Sequence, residues 1–161
     1  MIILGLDPGL ASTGFGLIKA TNNSPTLLKC GYIKTYQKDN ISVRLFQIYS
    51  DLNTLIEEEF PDMMAVENVF SLVRYPKAGI LLGCVIGIIY IIASDKKIKL
   101  VEVTPKEVKN SLIGYGNADK RQIKKMVQHI FNIDQIRSFH AADALAIALT
   151  AFYRVKKENL L

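Results

Sequence analysis

Cysteine and histidine are scarce, two of each in 161 residues. Cys30 and Cys84 stand far apart in apolar stretches, outside any CxxC or Cys/His spacing. That excludes a disulfide framework and a thiolate zinc site, and it reads as two core thiols in a reducing compartment. No cleavable leader is expected: Met1–Leu6 is apolar, but it has no basic lead-in and meets Asp7 and Pro8 too soon. Repeats, low-complexity tracts and linkers are absent as well. One domain over residues 1–161 is therefore expected, at a length close to the roughly 100–150 residues most domains have. The expected location is cytoplasmic.

What is present is a chain half hydrophobic, enough to bury a core without staples. Its net charge of +5 is unevenly placed. Residues 1–103 carry 10 basic and 10 acidic side chains, whereas Thr104–Leu161 carries 10 and 5, so the whole excess lies in the last third. A localised basic surface points to an anionic polymer, of which nucleic acid is the commonest.

Hydrophobic periodicity orders the elements. Ile2–Leu6 reads as a buried strand closed by the Asp7-Pro8-Gly9 turn, and Gly14–Ala20 and Thr26–Tyr36 read as two more. Three leading antiparallel strands are expected. Leu45, Phe46, Ile48, Tyr49, Leu52, Leu55 and Ile56 then recur at helical spacing, giving a helix over Ser42–Glu59 that Pro61 ends. Met63–Val66 is a short strand delivering Glu67 at its end. Ala78–Ser94 is uncharged, with Gly79, Gly83 and Gly87 at every fourth position. It reads as a central helix packed on the sheet, its glycine face allowing close approach to another element or to a second subunit. Lys99–Val103 is a strand. Thr104-Pro105-Lys106-Glu107 combines a capping box with proline at the first helical position. A basic helix follows over 118–131, and an alanine-rich one runs from Ser138 to about Lys157. This order predicts an α/β protein with a mixed sheet and helices on both faces.

The acids at the strand ends carry the chemistry. Asp7 and Glu67 each end a buried strand, where open α/β sheets bind ligands. Asp143 lies one turn after His140 on the last helix, so both share a face. Taken singly these residues have plainer uses: a turn, a solvated strand end, a favourable charge near a helix N-terminus. Together, three converging carboxylates would repel unless a divalent cation sat between them, and hard oxygen donors suit Mg²⁺ or Mn²⁺. Two such ions about 3.5–4 Å apart can activate water and stabilise the leaving oxygen of a phosphodiester.

Four stretches in this order resemble the RuvC family of Holliday-junction resolvases, over nearly the whole chain. They are Ile-Leu-Gly-Leu-Asp7-Pro-Gly-Leu-Ala-Ser-Thr-Gly-Phe-Gly, Val66-Glu67-Asn68-Val69-Phe70, Val103–Lys120 and His140-Ala-Ala-Asp143-Ala-Leu-Ala-Ile-Ala. The resemblance implies the ribonuclease H-like fold and metal-dependent endonucleolytic resolution of four-way DNA junctions in recombination and repair. It implies Asp7, Glu67 and Asp143 as metal-binding catalytic residues and two Mg²⁺ ions per site, with Mn²⁺ possible. It implies Phe70 against bases at the junction centre, where a wedge must offset unstacking. It implies Lys109 and Lys120 in DNA contact, a homodimer acting on opposing strands, and partnership with a branch-migration complex; no membrane is involved. His140 departs from the family's commoner Asp. Imidazole suits Mn²⁺ better than Mg²⁺, and it can also position or deprotonate water, so His140 is counted in the catalytic and metal set. His129, on the basic helix with no acidic neighbour in sequence, is left as an ordinary surface residue.

Lys120, Arg121, Lys124 and Lys125 form pairs four apart on one helix face. With Lys106, Lys109, Arg154, Lys156 and Lys157 they make a phosphate-tracking surface, while Lys125 alone suits a merely solvated stripe. Arg74, Tyr75 and Lys77 follow Phe70 and are expected near the crossover. Two other readings share parts of the pattern. A ribonuclease H-like enzyme acting on RNA would have the same acids without needing Phe70. An actin-like ATPase would share the Asp7-Pro-Gly and Ser12-Thr13-Gly14 turns, but it would need two such domains.

Overall fold

The computed structural model describes residues 1–21, 24–68 and 76–158. Among these residues five strands form one sheet: β1 (Ile2–Asp7), β2 (Ser12–Ala20), β3 (Pro25–Lys34), β4 (Met63–Glu67) and β5 (Lys99–Val103). The helices are α1 (Ile41–Glu59), α2 (Pro76–Asp95), α3 (Pro105–Ile113), α4 (Lys120–Phe131) and α5 (Phe139–Glu158). The sheet order is β3-β2-β1-β4-β5. β1, β2 and β3 pair antiparallel, whereas β4 and β5 run parallel to β1, so the sheet is mixed as expected.

Strand alternation sorts the side chains into two cores. Leu4, Leu6, Leu17, Met64 and Val66 pack under α1 and α2 on one face. Ile3, Ile18, Met63, Ala65 and Val103 pack under α3, α4 and α5 on the other. The same period of two sends Asp7 and Glu67, next in the series Ile3-Gly5 and Met63-Ala65, to the α5 side.

α5 lies almost against the sheet backbone. A Cβ on Gly5 would meet the Ala144 carbonyl oxygen at 2.1 Å, and one on Gly14 would meet that of His140 at 2.2 Å. Only glycine in the strands permits so close an approach, with Gly5 facing Ala144 and Ala148 and Gly14 facing the His140 backbone. It fixes α5 in both rotation and slide relative to β1 and β2.

α2 is not the central helix that its uninterrupted apolarity suggests. Val85, Ile89, Ile92 and Ala93 are buried against α1 and the sheet, but Ile80 is 70% exposed and Ile91 64%. Gly83 and Gly87 have open space where a side chain would project. The helix is long and apolar enough to cross a bilayer by length and composition alone, yet one side belongs to the folded core. Composition cannot separate helices buried on one side from those buried on both. Cys84 lies on this open side and is exposed, and Cys30 is half-buried, so neither is the core thiol expected.

Candidate active site

β1 and β4 are neighbours, with Leu6 opposite Val66, so Asp7 and Glu67 leave adjacent parallel strand ends side by side. α5, held by the glycine contacts, brings His140 and Asp143 over those ends. Asp7, Glu67 and Asp143 line one crevice of about 490 Å³ together with Lys109 of α3, and Asp119 and Lys120 at the start of α4. Local rules place those two helices. Thr104 caps α3 through a reciprocal box with Glu107, and Pro105 opens the helix. Asp119 caps α4 through a box with Gln122, which turns Lys120 toward the acids.

Two of the acids, Asp143 and Asp7, are paired with basic side chains. Lys120 Nζ donates to Asp143 Oδ2 at 3.2 Å, and His140 Nδ1 lies 2.8 Å from Asp7 Oδ2. Burial, then the charges of Asp7 and Asp143, pushes Glu67 up to about 7 against the pull of Lys120 and Lys109. Burial also raises Asp7, opposed by its hydrogen bond to His140. Lys120 is raised chiefly by the charge of Asp143. No three of the described His, Cys, Asp and Glu side chains form a ready cage for an ion. The donor set nevertheless fits a hard divalent cation. Three carboxylates share one crevice, and the repulsion that raises Glu67 is what a bound cation would turn into attraction.

The expected site residues separate clearly. Asp7, Glu67, His140, Asp143, Lys109 and Lys120 come together. Arg121 and Lys124 extend the basic rim along α4, beside Phe139. Lys106 is exposed on the first turn of α3 and packs along Gly116. Lys125 faces a different hollow with Gln128 and His129, in line with a solvated role. Arg154 is not free for phosphate, because it donates to the Glu102 carbonyl at 3.0 Å and to Glu107 Oε1 at 2.9 Å. Phe70, Arg74 and Tyr75 lie outside the described residues.

Two features escaped the sequence reading. Phe139, beside His140, is an exposed aromatic with Lys124 Nζ 4.6 Å from its ring centre. Glu102 on β5 accepts from Asn68, the residue after Glu67, and from the Tyr90 hydroxyl of α2, pushing Tyr90 up to about 12. Each joins segments distant in sequence, so no local spacing could have announced it.

The family model described as crossover junction endodeoxyribonuclease RuvC matches residues 3–151. A protein of that name from Natranaerobius thermophilus is 39% identical over 150 residues, covering 92% of each chain. Among solved structures, Thermus thermophilus RuvC superposes with a TM-score of 0.88 at 29% identity, covering 98% of this chain and 97% of that one. T. thermophilus RuvC in complex with a Holliday junction substrate gives 0.86 at 27% identity, covering 96% of each.

Proposed function

The chain belongs to the RuvC family of crossover junction endodeoxyribonucleases, and from that premise we propose how its own residues cut a four-way junction. It is a metal-dependent nuclease of recombination and repair that resolves Holliday junctions. The RNA-cleaving and actin-like readings are not favoured, since the relatives carry the junction-endonuclease name along almost the full chain.

One observation carries the assignment of residues: Asp7, Glu67 and Asp143 open into a single crevice that Lys109 and Lys120 also line. These three acids would hold Mg²⁺ or Mn²⁺, two ions per site, with His140 as a further donor beside Asp7. Ions bound there supply charge neutralisation and an activated water for in-line hydrolysis. Glu67, whose carboxyl burial pushes up, would have to be ionised to serve as a ligand. Lys120 exchanges Asp143 for the scissile phosphate, and Lys109 braces the same strand from α3. His140 holds Asp7 in a fixed orientation until the substrate arrives. Phe70, Arg74 and Tyr75 would meet bases and phosphates near the crossover. Lys106, Arg121 and Lys124 would track the arms.

A homodimer would set two such centres on opposing strands of a two-fold symmetric junction. The open side of α2, with Ile80, Gly83, Gly87 and Ile91, supports a second copy as its cover, because bare glycines let two helices approach closely. A cytoplasmic branch-migration complex is the proposed partner upstream of cutting.

The test is cleavage of a labelled synthetic four-way junction with Mg²⁺ or Mn²⁺. Paired symmetric nicks by the wild type, lost in Asp7→Asn while junction binding persists, are expected. Undiminished cutting by Asp7→Asn would remove Asp7 from the mechanism.

A further inference from the structure

Phe139 opens α5 with nearly half its surface exposed. Its surroundings are specific. With Asp119, Lys120 and Arg121 it lines a recess of about 380 Å³, and Lys124 Nζ stands 4.6 Å from the ring centre. The recess shares Asp119 and Lys120 with the acidic crevice. The next residue, His140, touches Asp7 at 2.8 Å. The Asp119 carboxylate accepts from the amides of Arg121 and Gln122 as the cap of α4, and the cations Lys120, Arg121 and Lys124 outnumber it at the rim.

We infer that this recess is a nucleobase subsite, in which Phe139 stacks on an unpaired base of the cut strand within a nucleotide or two of the scissile phosphate. A flat apolar ring ringed by one guanidinium and two ammonium groups matches a nucleotide: the base takes the ring, and the flanking phosphates take Arg121 and Lys124. Stacking of this kind tolerates any base, whereas hydrogen bonds from the rim would add a preference. Lys124 now covers one face of the ring, and a base would take that face as Lys124 swings toward a flanking phosphate. The inference relies on the scissile phosphate lying at Asp7, Glu67 and Asp143, as proposed above.

The experiment uses junctions with 2-aminopurine, or an abasic nucleotide, stepped through the two positions on each side of the cut. Proteins are wild type, Phe139→Ala, Phe139→Leu and Phe139→Tyr, each also in the Asp7→Asn background for binding without cutting. At one position, 2-aminopurine fluorescence should be quenched on binding by wild type, Phe139→Tyr and the Asp7→Asn single variant, but not by the Ala or Leu variants. An abasic nucleotide there should slow wild-type cutting roughly 10-fold and slow Phe139→Ala no further. The Leu variant keeps an apolar side chain at the helix start, so a loss shared by Ala and Leu is a loss of the aromatic ring. Quenching unchanged in Phe139→Ala, or abasic and Phe139→Ala penalties that multiply in full at every position, would overturn the subsite. Because quenching is read without cleavage, failure of the acidic centre shows separately, as cutting that survives Asp7→Asn.

Discussion

At Glu67, burial and two neighbouring acids favour the protonated form, and this has a consequence for stability. Its ordinary value is 4.5 and its folded value about 7. The carboxyl therefore adds stability that is fully present below pH 4.5 and is lost as pH rises through 7. Metal-free Glu67→Gln, which cannot ionise, should be more stable than wild type at pH 8 by roughly 1–3 kcal/mol, with the difference vanishing near pH 4. Thermal melts in chelator at the two pH values check this, and a gap independent of pH would refute it. Cation binding should likewise release a proton below pH 7, so affinity measured by calorimetry rises with pH and levels off above 7. At this scale the convergence of Asp7, Glu67, His140 and Asp143 was legible, because strand ends and helical spacing are local patterns. Phe139 and Glu102 were not, since each acquires its role from residues that only folding brings near.

The elements were nearly all legible, because alternation, capping boxes and prolines are written in consecutive residues. α2 was the exception: apolar on every side, it carried no mark of which side would stay open. Glycines in the two settings should respond oppositely to alanine. In Gly5→Ala the new methyl would meet the Ala144 carbonyl at 2.1 Å, so α5 must move. A loss of roughly 3 kcal/mol or more in denaturant melts is expected, together with weakened metal binding as Asp143 shifts. Gly83→Ala meets nothing and improves helix propensity, so the subunit should gain roughly 0.5–1 kcal/mol. The bulky Gly87→Arg, by contrast, should separate the proposed dimer in sedimentation while leaving each subunit folded. A stable dimer in that variant would place the interface elsewhere.

Across the whole molecule, the basic excess after Thr104 becomes a surface only because α3 and α4 pack beside α5 on one side of the sheet. Its uneven use is testable through salt. Removing Arg121 or Lys124 should lower the slope of log binding constant against log salt by about 1 each, while removing Lys125, on its separate hollow, should leave the slope nearly unchanged. Equal effects at all three would mean diffuse attraction without a path. The sequence order predicted a mixed sheet but could not say that β1 lies at its middle, since strand order is settled by long-range pairing. That placement matters to synthesis. Asp7 belongs to the first strand, while its partner His140 stands 133 positions later on α5. On the ribosome, where early segments fold first, the cutting centre cannot exist until α5 has emerged and docked. A half-made chain, or one clipped before α5, thus carries Asp7 and Glu67 without His140 and Asp143, and is expected to cut no DNA.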